Sequence, residues 1–347
     1  MSETLLFFSD IHVHNFRAHG RVLADGTNSR LANALGVLEY LTQYCRREGI
    51  RYVLCGGDVF HERGRLDVEV FNQARAAFRA LAQAVDRLVI IVGNHDQSPT
   101  NDREHALEAF KEFAIVADTP QEITLGPYTL AAFPFMRDAQ EHTRLFKAYN
   151  RPSVDVVSTH VGVAGVPGRT FFIAEPVQRR HLATKAGVVL LGHYHDYAQV
   201  SENGYYAGSA QALEWGDANR MKYALRVELG TGGPRVAPLP LPGIRFLEFI
   251  SLDELERRKD EVPGNIVRVH APVEDVKLLQ ARLAHLGAHD VQIVPLRRDV
   301  QALEVTPGSV KTLRQAVLAR ASRVGPELSA ARAAAIGLEI LATCGEE

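Results

Sequence analysis

Five short apolar runs in this chain each stop at a side chain able to bind a proton or a metal, and that recurrence limits the possible folds most. Leu5–Ser9 runs into Asp10-Ile11-His12, Tyr52–Cys55 into Gly56-Gly57-Asp58, and Leu88–Val92 into Gly93-Asn94-His95-Asp96. Asp155–Thr159 ends at His160, and Val188–Leu191 at Gly192-His193-Tyr194-His195. The first three runs alternate with helical segments, Leu31–Arg47 and Val68–Val85. The former places Leu31, Leu35, Leu38, Leu41 and Cys45 on one face. Strands alternating with helices predict βαβ units and a layered α/β sheet. In such sheets ligands gather outside the carboxyl ends of the strands, so these polar side chains are expected at one edge.

Further strands are expected at Tyr128–Phe133, Tyr205–Ala207, Tyr223–Glu228 and Arg245–Ile250, with the Pro- and Gly-rich stretch Gly230–Gly243 read as a loop between strands that close off the core. After Gly264 comes a compact pattern of strand Ile266–His270, helix Val273–Leu286 and strand Val291–Pro295, then two helices, Val310–Ala321 and Leu328–Thr343. The expected division is a core at residues 1–250, a small module at 251–300 and terminal helices at 301–347. Three scattered cysteines give no disulfide framework and fit a reducing cytoplasm. We expect no leader and no membrane span, since no apolar run approaches the length of one. The formal net charge of −2 argues against a uniformly basic nucleic-acid binder but leaves a local basic stripe open.

With no cysteine cluster, any metal must be held by His, Asp and Asn. Two divalent ions about 3.5–4 Å apart can clamp the attacking and leaving oxygens of an in-line displacement, and a carboxylate such as Asp58 can bridge them. Imidazoles with an amide oxygen suit Mn²⁺, Fe²⁺ or Zn²⁺ better than Mg²⁺.

The order D-x-H, G-G-D, G-N-H-D, H and G-H-x-H resembles the calcineurin-like metallophosphoesterases over roughly residues 5–210. The resemblance implies a four-layer αββα sandwich. Asp10, His12, Asp58 and His195 would hold one metal, and Asp58, Asn94, His160 and His193 the other. It also implies attack on phosphorus by a hydroxide held between the ions. His95 would stabilise the transition state or protonate the leaving oxygen, and Asp96 would orient His95. Gly56-Gly57-Asp58-Val59-Phe60-His61 narrows the likeness to SbcD-type DNA repair nucleases, with His61 as a second active-site histidine outside the ligand set. Gly208-Ser209 and Glu214-Trp215-Gly216-Asp217 are similar to segments of the same nucleases. That narrower resemblance implies a Mn²⁺-dependent exonuclease and endonuclease in DNA repair or recombination. It also implies a capping domain, an SbcC-type coiled-coil ATPase as partner, DNA as substrate and a homodimer. The chain departs from this pattern at His14 and in an enlarged loop, Asn15–Arg30.

A phosphatase or cyclic-nucleotide phosphodiesterase of the same superfamily, and a catalytically silent scaffold, are the rival readings. His14, His19, His105, His142, His181, His270, His285 and His289 read as exposed loop or helix residues. Trp215 reads as a packing residue, and Arg169 and Arg179-Arg180 as a solvated face. The apolar stripe including Leu338 and Leu341 reads as internal core.

Overall fold

The computed structural model describes residues 3–101, 103–149, 151–164, 166, 177–178, 186–296, 317–318, 332–336 and 338. In chain order the core elements are β1 (Glu3–Phe8), α1 (Ser29–Glu48), β2 (Tyr52–Cys55), α2 (Val68–Ala82), β3 (Arg87–Ile91), β4 (Ile115–Ala117), β5 (Gln121–Leu125), β6 (Tyr128–Phe133) and α3 (Ala139–Tyr149). They continue with β7 (Val156–His160), β8 (Val163–Ala164), β9 (Val177–Gln178), β10 (Val188–Gly192), β11 (Ala198–Ser201), β12 (Gly204–Tyr206), β13 (Tyr223–Leu229) and β14 (Arg235–Pro240). Last come β15 (Phe246–Phe249), α4 (Leu252–Arg258), β16 (Ile266–Pro272), α5 (Val276–His285) and β17 (Asp290–Leu296).

Two six-stranded sheets carry the fold, ordered β14-β13-β1-β2-β3-β4 and β11-β12-β10-β7-β6-β5. Side chains alternate across a strand, so a strand buried on both faces serves two cores at once. Leu6 and Phe8 of β1 pack with Val53, Leu88 and the helix residues Leu38, Leu41 and Phe78. Their neighbours Leu5 and Phe7 join Leu54 and Val89 against Leu130, Val156 and Leu190 of the second sheet. On that sheet's far side Phe133, Val157 and Leu191 pack with Phe146 of α3. The result is the expected four-layer αββα sandwich. Phe7 is fully buried between the sheets, and truncating such a ring to alanine costs about 3–5 kcal/mol.

Asn28 starts α1 by accepting from the Arg30 and Leu31 N–H groups, and Asp67 starts α2 by accepting from Glu69 N–H. Strands β1 to β4 run parallel, as do β6, β7, β10 and β12. All five polar strand ends named above therefore lie at carboxyl edges.

Two expectations change. Gly230–Gly243 is more than a loop: it contains β14, antiparallel to β13 with Tyr223 opposite Pro240. Pro238 and Pro240 are tolerated because β14 is an edge strand, where no outer neighbour needs their missing N–H. The run Arg245–Ile250 does not close the core either, because β15 pairs in parallel with β16. With β17 it forms a three-stranded sheet whose buried side holds Leu247, Val267, Val269, Leu279 and Leu283.

The chain divides into two compact units, Met1–Pro295 and Leu296–Glu347. In the second, residues 317–318, 332–336 and 338 are helical. The remainder of the two expected terminal helices, including Leu341, lies outside the described residues. No helix among the described residues is long and apolar enough to cross a membrane.

Candidate active site

Each of the sharp exits from β1, β2 and β10 takes a non-glycine residue into the left-handed region: Asp10 at φ 52°, His12 at 46°, Asp58 at 51° and His193 at 105°. Such backbone costs on the order of 1–3 kcal/mol per residue and persists only where the surroundings over-determine it. Here the two loops pin one another: Asp10 N–H donates to Gly57 O at 2.9 Å and His12 N–H to Asp58 O at 3.0 Å. The second sheet is tied in by His193 N–H, 3.1 Å from Asp10 Oδ2, and by His160 Nδ1, 2.8 Å from Gly56 O. The sheets approach closely at Gly57, where a Cβ would lie 2.6 Å from His160 Nδ1, and at Gly192, where one would lie 2.3 Å from Gly56 O.

The side chains at these exits converge. His12 Nε2 lies 3.2 Å from His195 Nε2, and each is 4.0 Å from Asp10 Oδ1. A second group forms around Asn94 Oδ1, which is 2.9 Å from His160 Nε2 and 2.8 Å from His193 Nδ1. Asp58 stands between the groups, its Oδ2 3.7 Å from His12 Nε2 and 3.4 Å from His160 Nε2. All seven residues singled out as candidate ligands are thus brought together.

Electrostatics favour a cation here. Asp10 and Asp58 are 0% and 2% exposed, and among the described residues no lysine or arginine pairs with either. Burial raises the Asp10 carboxyl to about 7, with the Asp58 charge adding to it against the pull of His160. Burial would raise Asp58 too, but His160, then His12 and His95, hold it well below the usual carboxylate range. Burial disfavours charge on His160, yet Asp58 and Asp10 lift that ring to about 9. His12 is pushed well below the ordinary histidine value, and His193 to about 3, in both cases first by burial. Buried carboxylates facing imidazole nitrogens and an amide oxygen form a mixed N/O donor set that fits first-row divalent ions once His160 gives up its proton. The residues present therefore fit two such ions.

His95 sits beside the donors. Its N–H donates to Asp58 Oδ1 at 2.8 Å, its ring Nδ1 meets the His61 carbonyl, and its ring centroid is 4.9 Å from that of His12. Asp96 does not orient it. The Asp96 carboxylate accepts instead from Phe60 N–H at 3.1 Å and Gly93 N–H at 3.0 Å, tying the exits of β2 and β3 together. Burial and the Asp58 charge raise this carboxyl to about 7. The His61 ring stacks 5.7 Å from His95 and contacts Phe16 and His14.

Several remaining histidines differ from expectation. His142 is fully buried, its Nε2 2.7 Å from Thr159 Oγ1, and burial lowers it to about 4. The His105 side chain is only 2% exposed and lies against Asp118. His14 is half-buried against Phe16. His19 reaches Asp290, His270 reaches Glu248 and His289 reaches Ser29, while His285 is exposed as expected. Trp215 is a packing residue, between Phe246 and the Arg268 guanidinium. His181, Arg169, Arg179 and Arg180 lie outside the described residues. One neighbour had no signal in the sequence: Phe135, stacked 6.1 Å from His193, follows β6 with no motif around it.

Residues 3–226 match the family model of the calcineurin-like phosphoesterases. No curated protein matches the chain. Among solved structures, a dimetal phosphatase from Danio rerio is 12% identical with a TM-score of 0.36, covering 70% of this chain and 99% of that one. A NAD nucleotidase from Haemophilus influenzae is 13% identical with a TM-score of 0.38, covering 82% and 60%. A double mutant of Vps29 from Entamoeba histolytica is 12% identical with a TM-score of 0.29, covering 69% and 99%. At that level of similarity none of the three carries weight for this chain.

Proposed function

The chain belongs to the calcineurin-like phosphoesterases, and from that premise we propose that it is a two-metal phosphodiesterase cutting DNA at its ends, like the SbcD-type nucleases it resembles in sequence. Asp10, His12, Asp58 and His195 would hold one divalent ion, and Asp58, Asn94, His160 and His193 the other, with Mn²⁺ the metal tried first. The observation that carries the reading is the convergence of these side chains from two sheets around two buried carboxylates that, among the described residues, no lysine or arginine pairs with.

When bound, the ions supply Lewis acidity for in-line displacement at phosphorus. The protein's own groups act around them. A carbonyl only accepts, so the contact with the His61 carbonyl puts a proton on His95 Nδ1. His95 Nε2 then carries a proton only in the cationic ring, the form that can protonate the leaving oxygen or face developing negative charge. Burial, with the nearby His95 charge, lowers His61 to about 4, so it enters as a neutral ring.

A nucleic-acid strand is the proposed substrate for two reasons. The G-G-D-x-F-H segment resembles that of the nucleases, and beside His61 opens a cleft of about 780 Å³ lined by Phe16, His14, Arg17 and Arg65, with Glu62 and Asp67 also on its wall. An aromatic ring and arginines within reach of a strand are part of what single-strand binding uses. The three-stranded sheet acts as a cap on this substrate, and the residues beyond it dock an SbcC-type ATPase within a homodimer. The reading is tested by following linear DNA and a chromogenic phosphodiester side by side, with and without Mn²⁺. Turnover of the small ester alone points to a phosphatase or small-molecule phosphodiesterase; turnover of neither by metallated protein points to a silent scaffold.

A further inference from the structure

Gly208-Ser209 and Glu214-Trp215-Gly216-Asp217 stand apart in the sequence, yet neither segment supplies a donor to the cluster. In the structure both converge on one atom, the main-chain carbonyl oxygen of His195. Ser209 N–H donates to it at 3.1 Å and Lys222 Nζ at 3.0 Å. Lys222 is 7% exposed, and its other partner is Asp217 Oδ1 at 2.8 Å. Asp217 accepts in turn from Leu213 N–H at 2.8 Å through Oδ2. At Gly208, where φ is 82°, a Cβ would lie 2.8 Å from the same carbonyl oxygen. Only glycine leaves that oxygen open to its donors.

A metal-binding histidine is usually aimed by a hydrogen bond on its second ring nitrogen. His160 has one, from Nδ1 to Gly56 O at 2.8 Å. Among the described residues His195 Nδ1 has none, and the His195 side chain is 36% exposed, against 1% for His12. What holds it is its main chain, whose carbonyl takes two donors. A buried ion pair is a poor source of stability by itself, since desolvation offsets the attraction. Its placement on this carbonyl gives it another role. We infer that Asp217 and Lys222 are positioning residues for His195, and that they set the affinity of the ion shared by Asp10, His12 and His195 without touching it. The inference rests on the two-ion reading above. Trp215, in the same segment, packs 4.9 Å from Phe246 of β15, so the segment that carries Asp217 also touches the three-stranded sheet.

The test uses the full chain equilibrated with Mn²⁺ at controlled free concentrations, with bound metal measured by elemental analysis and its pairing by electron paramagnetic resonance. Wild type is expected to bind two ions with a spin-coupled spectrum. Lys222→Met should keep one ion at wild-type affinity and weaken the other about 10–100-fold, the usual effect of losing a ligand's support, leaving a mononuclear spectrum. Lys222→Arg should restore part of the loss. The double variant Asp217→Asn with Lys222→Gln, which removes both charges and keeps hydrogen-bonding groups, guards against a failure to fold. Wild-type affinity for both ions in Lys222→Met overturns the inference. So does equal weakening of both ions in the folded variants, which would mark a general structural role. A wild-type chain that binds no metal would defeat the two-ion reading itself.

Discussion

The first sheet brings oxygen to the site and the second brings nitrogen. Asp10, Asp58 and Asn94 follow β1, β2 and β3, whereas His160, His193 and His195 end or follow β7 and β10; His12 is the one imidazole on the first side. The difference teaches where the chemistry resides. Either sheet alone would offer crowded carboxylates or crowded neutral rings, and only their packing creates positions where a divalent ion meets both.

Four measurements break or sharpen this contrast. The largest effect is expected from Asp58→Asn, which removes the anion standing between the groups. Turnover should fall to background with both ions lost, by elemental analysis; two retained ions would show that Asp58 is not the link. Next comes His95→Ala. His95 lies on the oxygen side but is not a donor, so both ions should remain while turnover drops about 10²–10⁴-fold. Unchanged kcat would end its proposed part in the chemistry.

The third effect separates rings within the second sheet. His160 without metal is lifted to about 9, so below that pH an entering ion must displace its proton. His193, already lowered to about 3, releases none at neutral pH. Apparent metal affinity should therefore rise with pH by about tenfold per unit for each proton displaced, and level off above about 9. Calorimetry in buffers of different ionisation enthalpy counts the protons; a flat dependence between pH 7 and 9 would contradict the assignment.

The smallest effect lies outside both sheets. Hydrogen bonds from Arg258, then from Arg245, hold Glu261 in the small module down at about 2. A depressed carboxyl stabilises above its unfolded value and loses that contribution as pH falls from roughly 4.3 toward the folded one. Because the group is partly exposed, Glu261→Gln should cost at most about 1 kcal/mol. The loss should appear in thermal melts at pH 7 and vanish near pH 2, with metal content unchanged.

Much of this was legible in the sequence, for a physical reason. A parallel strand buried on both faces must be apolar, so a polar residue ending it stands out, and five such endings announced the edge where the donors meet. The same logic could not place Asp96, because an acid two residues past a ligand can turn toward a ring or toward main-chain N–H groups with equal ease. It chose the latter. Lys222 was invisible, since a lone lysine at the start of β13 looks like any solvated strand end until the chain folds it over the His195 carbonyl. His142 deceived in the opposite way: a histidine in an amphipathic helix looks exposed unless Thr159 beneath it is known. The strand β14 was hidden by prolines that only an edge position tolerates. The terminal helices beyond residue 296 stay, for the most part, an expectation.

At Gly57 the sheets meet with room for a hydrogen atom and nothing larger. A main chain without a side chain is what lets the His160 ring stand directly against the exit of β2. A methyl group at this point would act as a shim, spreading the sheets and with them the two halves of the site, although no donor atom had been changed.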